Sequence, residues 1–115
     1  MAKGPTKGFL STAPNSKAVQ KCIREAIKNS GITASAIDAI NGHLTATSKD
    51  ALEIENWVEA LQRKESDFPY INSLKSMVGH CLAAAGSIES VATILQLKEG
   101  YIFPNINCGS SYFPN

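Results

Sequence analysis

Residues Tyr70-Ile-Asn-Ser-Leu-Lys-Ser-Met-Val-Gly-His-Cys-Leu-Ala-Ala-Ala-Gly-Ser-Ile-Glu-Ser-Val-Ala-Thr-Ile-Leu-Gln-Leu-Lys98 decide the fold. A short strand, Phe68–Asn72, is entered through Pro69. A loop carrying His80 follows, then a helix that starts near Met77–Cys81 and runs to about Lys98, with Gly100 as its stop. The same order stands upstream. Ile37–Ile40 is a strand candidate that leads into Asn41-Gly42-His43, and Asp50 opens a helix with Glu53 three residues later, at capping-box spacing. Ile54, Trp57, Val58 and Leu61 give that helix one apolar stripe, and Glu59 and Arg63 form an i,i+4 pair on its flank.

Further out, Asn15 or Ser16 can cap a first helix. Its apolar positions are Ala18, Val19, Cys22, Ile23, Ala26 and Ile27, and Gly31 ends it. Lys17, Lys21, Arg24 and Lys28 fall mostly on the other face, which reads as a solvated helix face. Tyr101–Pro104 reads as a last strand, confined by proline to an edge or an end. Residues 1–14 read as a loop, an edge strand around Gly8–Thr12, or a linker; 15–107 as the folded region; and 108–115 as a tail. Alternation of helix and strand implies an α/β layer structure with crossover connections. The stretch Cys81–Leu97 is apolar on nearly every side, and a helix of that kind is normally buried all round. The chain therefore reads as part of something larger, or as pairing with another copy.

Composition excludes several classes. With 11 Lys+Arg against 10 Asp+Glu, the net charge is +1, and nothing recommends nucleic acid or an anionic membrane as partner. Residues 1–16 lack the apolar core of a secretory leader, and the longest apolar stretch is broken by Ser87, Glu89, Ser90, Thr93 and Gln96, so no membrane span is expected. Three cysteines without a C-x-x-C give neither a disulfide framework nor a zinc site, and a reducing, cytoplasmic setting follows. Cys22 reads as core, Cys81 as packing although it adjoins His80, and Cys108 as a tail residue with no base near it in sequence.

The two histidines, His43 and His80, each follow a strand, and in parallel sheets the loops after strand C-termini carry ligands. Two parallel strands would bring both loops to one edge, with the imidazoles near enough to share one oxygen atom. Their spacing is no metal signature, and taken alone it fits two ordinary half-buried histidines better than a catalytic pair.

Residues 72–90 resemble the second histidine motif of the β-ketoacyl-[acyl-carrier-protein] synthases, thiolase-fold condensing enzymes, in which the run is close to S-x-K-x-x-x-G-H-x-x-x-A-A-G-x-x-E. Ser73, Lys75, Gly79, His80, Ala84, Ala85, Gly86 and Glu89 fall in register. Asp38–Thr47 resembles the first histidine motif, I-N-x-H-G-T-x-T, Asp50 and Glu53 resemble the acidic pair downstream, and Leu97–Asn107 resembles the stretch after the third helix. The likeness covers residues 9–107 with the motifs in order. It departs in three ways. Leu44 stands where the family has glycine, the loop before Asp50 is one residue shorter, and the family's elbow cysteine and its late glycine-rich turn are absent.

The resemblance implies half of a thiolase-like layered α/β domain, incomplete without the N-terminal half. It implies His43 and His80 as the catalytic pair, Lys75 and Glu89 as supporting residues, and Thr45 and Thr47 as contacts for a phosphopantetheine arm. The two threonine hydroxyls are expected on one side by strand-like alternation. His80, placed at a helix N-terminus, is expected to be biased to its neutral form by the helix dipole. Glu89, alone on an apolar helix, needs a partner, and Lys75 is expected to be linked to it directly or through one bridge. No metal and no cofactor are expected beyond the phosphopantetheine of acyl carrier protein. Acyl carrier protein is the implied partner and a homodimer the implied state of the full-length enzyme. The implied activity is decarboxylative Claisen condensation of malonyl and acyl thioesters in fatty-acid or polyketide synthesis, the 115-residue chain itself being inactive without the nucleophile. Two rivals stand beside it: a non-catalytic condensing-enzyme partner, favoured by Leu44, and, more weakly, a degradative thiolase, which uses one histidine plus a second cysteine.

Overall fold

The computed structural model describes residues 15–106. The chain divides into two compact units, one of residues through Ala36 with Ile54–Phe68, the other of Ile37–Glu53 with residues from Pro69 onward.

In the first unit, helix α1 (Ser16–Ser30) starts where Asn15 Oδ1 accepts the Ala18 N–H at 3.0 Å and ends at Gly31, whose φ of 71° is the left-handed cap that glycine adopts without penalty. Replacing Asn15 with alanine should cost about 1 kcal/mol of stability, read from the urea midpoint; an unchanged midpoint would show the cap to be idle. Helix α2 (Asp50–Leu61) begins in the second unit and continues into the first. There Gln20 donates to Asn56 Oδ1 at 3.0 Å, and Ala60 and Leu61 are buried. Arg63 lies beyond the helix end, because Gln62 turns to a φ of 54°. Its guanidinium reaches Asp67 and the Ala34 carbonyl. The i,i+4 geometry expected with Glu59 therefore has no helix beneath it. Cys22 is exposed, not core: it sits at the margin of the α1 stripe, and α1 buries no residue fully. The four basic residues of α1 are all exposed, with Lys21 and Glu25 3.7 Å apart.

The second unit carries the sheet. Strands β1 (Ala39–Asn41) and β2 (Tyr70–Asn72) pair in parallel, in the register Ala39–Tyr70, Ile40–Ile71 and Asn41–Asn72. The hydrogen bonds extend one step beyond each end, from Tyr70 N–H to Asp38 O and from Gly42 N–H to Asn72 O. The expected strands are present but short, and both C-terminal ends lie at one edge.

The long helix expected after β2 is broken. A single turn, α3 (Lys75–Val78), ends at Gly79. A 3-10 turn covers Leu82–Ala84, and α4 (Ala85–Glu99) follows, capped by Gly100. Helix α4 is apolar on most sides, yet the stripe it turns to the strands is its polar one. Glu89, Ala92, Thr93 and Gln96 recur at helical spacing. The Glu89 carbonyl and Thr93 Oγ1 accept from Asn41 Nδ2, and Gln96 Oε1 accepts from Asn72 Nδ2. The large apolar residues face outward: Val91 is 59% exposed, Ile94 63% and Leu97 84%. Burial on all sides, expected from composition, is thus not provided among the described residues.

Residues 101–106 form no strand. Pro104 has no N–H to offer a ladder, and the side chain of Asn105 substitutes for one, accepting from Ser73 N–H and donating to the Ile71 carbonyl. Phe103 N–H is held by Gln96 Oε1. The edge strand read around Gly8–Thr12, Cys108 and the tail at 108–115 fall outside the described residues.

Candidate active site

Two loops leave the ends of β1 and β2, and each presents a histidine. Loop 42–49 is organised by two carboxylates from the first turn of α2. Glu53 Oε1 accepts His43 N–H at 2.7 Å and Oε2 accepts Leu44 N–H at 3.0 Å. Asp50 takes the next three, Thr45, Ala46 and Thr47, at 3.2, 3.0 and 3.3 Å. Five successive backbone donors are thus held by two charged acceptors. Asp50 and Glu53 have capping-box spacing, but their carboxylates turn back into the loop. Asp50 is buried, and its charge is matched by those N–H dipoles and the positive end of α2. Glu53→Gln replaces one carboxylate oxygen with an amide nitrogen that cannot accept, so the loop should lose about 1–3 kcal/mol of support, measurable as a lowered denaturation midpoint.

Thr45 and Thr47 come together, with Oγ1 atoms 3.4 Å apart, and Thr47 Oγ1 lies 3.4 Å from Asp50 Oδ1. Strand-like alternation is not the cause. Ala46 sits at a φ of 58°, and this left-handed turn curls the two threonines toward each other.

The second loop starts from the buried pair Asn72 and Ser73. Ser73 Oγ donates to the Leu44 carbonyl at 3.2 Å, joining the two loops directly. His80 lies in the break after α3, just before Cys81, from which the 3-10 turn runs on into α4. Its Nδ1 accepts the Leu82 N–H at 3.2 Å. A backbone N–H can only donate, so Nδ1 is the acceptor and Nε2 carries the proton. Leu82 holds a φ of 47° to make this contact.

The His43 and His80 rings stand 5.4 Å apart between centroids, edge to face at 83°, and both residues are exposed. Behind them Lys75 Nζ is paired directly with Glu89 Oε1, the side chains 6% and 20% exposed. The link between helix entry and helix middle needs no bridging group, because the break at Gly79–Ala84 lets the single turn of α3 double back toward α4. Cys81 is half-buried, with Sγ 3.8 Å from the carbonyls of Val78 and Gly79. Among the described residues, no group of three or more His, Cys, Asp or Glu is arranged to hold a metal ion, and no helix is long and apolar enough to cross a membrane.

Residues 4–109 match the family model of the beta-ketoacyl synthase, C-terminal domain. The chain belongs to this family. Its alternating helices and parallel strand pair are part of the family's thiolase-like fold. The beta-ketoacyl synthase C-terminal domain described here is 41% identical over 96 residues to the chloroplastic 3-oxoacyl-[acyl-carrier-protein] synthase II of Arabidopsis thaliana, covering 82% of this chain and 17% of that protein. It is 35% identical over 101 residues to 3-oxoacyl-[acyl-carrier-protein] synthase 2 of Rhizobium meliloti, covering 86% and 24%. A spectinabilin polyketide synthase system protein of Streptomyces orinoci is 36% identical over 99 residues, covering 84% and 3%. The chain thus spans a quarter or less of each of these relatives.

The structure also gives weight to residues that no motif reading singled out for the site. Asn41 and Asn72 close the two strands against α4, Gln96 receives both Asn72 and Phe103, and Asn105 holds the start of the second loop. Asn41 and Asn72 sit at equivalent strand ends in the sequence, which is a usable signal. Asn105 carries none, since its partners lie 32 and 34 residues away.

Proposed function

We propose that this domain supplies the two-histidine part of a β-ketoacyl-acyl carrier protein synthase site, which condenses a malonyl thioester with an acyl thioester in fatty-acid or polyketide synthesis. The observation that carries this reading is the pairing of the His43 and His80 rings at the ends of two parallel strands, with Nε2–H of His80 left to donate. Loss of CO2 from a malonyl thioester puts negative charge on the thioester carbonyl oxygen. Two neutral imidazoles can each donate to that oxygen, and fixed donors of this kind are worth about 3–4 kcal/mol each. The acyl group is held on a cysteine outside this chain. It leaves that sulfur as the enolate carbon attacks its carbonyl, and the thiolate is regenerated.

In this reading Lys75 and Glu89 support the second loop, and the hydroxyls of Thr45 and Thr47 meet the phosphopantetheine arm that carries the substrate. Acyl carrier protein is the partner, no further cofactor takes part, and the whole enzyme works as a cytoplasmic homodimer. The deciding experiment uses the protein that carries this chain. Malonyl-acyl carrier protein should lose CO2 in its presence, and an acyl donor should leave a mass adduct on the protein outside Cys22, Cys81 and Cys108. A protein that binds carrier protein but does neither is a non-catalytic partner. A stoichiometric adduct on one of the three cysteines would overturn the assignment of the nucleophile.

A further inference from the structure

His43 is flanked by two residues that touch each other. Gly42 is buried, and a Cβ placed on it would lie 2.9 Å from both Cγ and Cδ1 of Leu44 and 3.4 Å from Glu53 Oε1. Cγ is a branch point, so rotating the far end of the leucine does not clear the conflict. Nor can the backbone of Leu44 withdraw, because its N–H is held by Glu53 Oε2 and its carbonyl by Ser73 Oγ. Between these two anchors Leu44 sits at a φ of 21°, on the positive side where a residue with a side chain is strained. A Cβ at position 42 beside the His43 backbone is therefore accommodated only if the Leu44 side chain shifts as a whole. In the I-N-x-H-G pattern the glycine follows the histidine; here the residue after it is leucine and the one before it is glycine.

We propose that Gly42 and Leu44 form a coupled pair beside His43: while position 44 carries its leucine, position 42 must stay free of a side chain, because a Cβ there turns the His43 imidazole from its direction. The leucine covers the face of the glycine, and Glu53 and Ser73 hold its strained backbone in place. The pair rests on the reading of His43 as a group that acts on substrate, so the test carries one measurement independent of turnover.

The test compares Gly42→Ala, Leu44→Gly and the double variant in the protein that carries this chain. Turnover in malonyl-acyl carrier protein decarboxylation is read beside the His43 ring signal in 15N-histidine-labelled protein. Gly42→Ala should lower kcat by about 10-fold or more with KM within about 2-fold, and should move the His43 signal. Leu44→Gly should cost less than about 3-fold, and the double variant should return to within about 3-fold of Leu44→Gly, with the His43 signal restored. Singles whose effects multiply in the double, or a Gly42→Ala protein with parental kcat and an unmoved His43 signal, would overturn the coupling. If Gly42→Ala does not fold, recovery of folded protein by adding Leu44→Gly supports the pair, and failure to recover it counts against the pair. If the parent protein does not decarboxylate malonyl thioester, the proposed function fails, and the coupling is decided by the His43 signal.

Discussion

Alanine in place of His80 should slow malonyl-thioester decarboxylation by about 10²–10³-fold in the protein that carries this chain, while KM moves little. The split follows from the geometry. Leu82 N–H occupies Nδ1, so the one donor His80 offers is Nε2–H. That donor matters most to an oxygen that gains charge during the reaction, and less to the ground-state carbonyl, so its loss appears in kcat. His80→Gln keeps an N–H donor and should recover part of the rate. Equal turnover for parent, alanine and glutamine proteins would remove His80 from the chemistry, whatever the ring arrangement.

Breaking the Lys75–Glu89 pair should produce the largest loss of stability among single changes. Both side chains are mostly buried. Glu89→Leu leaves an ammonium group in a poorly hydrated place with no counter-charge, a change that typically costs about 3–5 kcal/mol. The double replacement Lys75→Met with Glu89→Leu removes both charges and should regain most of that loss, because a well-packed apolar pair replaces a buried ion pair at little net cost. Turnover should not return with it. The pair ties the entry of α3 to α4, and the second histidine loop lies between them. Glu89→Gln also removes the counter-charge but keeps the shape and an oxygen that accepts from Lys75 Nζ, so it should cost less stability than Glu89→Leu and still lower turnover. Denaturant midpoints and turnover measured on the same samples decide the matter. A double variant that regains both stability and activity would make the link structural only.

How much of this could be read from the residues varies from place to place. The two histidine loops were legible because each follows a short β-rich run and precedes a helix signal, and the parallel pairing then puts them side by side. The break at Gly79–Ala84 was not, since Cys81–Ala85 is an unbroken apolar run and Gly79 alone does not say where a helix resumes. Nor was the facing of α4: a helix apolar on nearly all sides has no periodicity to orient it, and only contacts with Asn41 and Asn72 show that the stripe of Glu89, Thr93 and Gln96 turns inward. Tyr101–Pro104 has strand composition, but hydrogen bonding there is done by the side chain of Asn105, which no local pattern announces. The spacing of Asp50 and Glu53 pairs them but does not say which backbone donors they take, because a capping box and a loop clamp share that spacing. Leu44 is a departure from the family pattern in the sequence, and only the structure shows that it packs against Gly42.

The outward apolar face of α4 has a calorimetric consequence. The heat capacity of unfolding measures apolar surface newly exposed to water, and a domain ordinarily gains about 12–15 cal/mol/K per residue. Val91, Ile94 and Leu97 are already largely wet when the chain is folded, so they contribute little to that gain. Taken by itself, the chain should show a heat-capacity step below the ordinary range and a broad, shallow stability curve, with its melting enthalpy varying little with temperature. A partner surface laid over α4 would steepen the curve in proportion to the area it covers, so a scanning calorimeter would detect that covering without any knowledge of its chemistry.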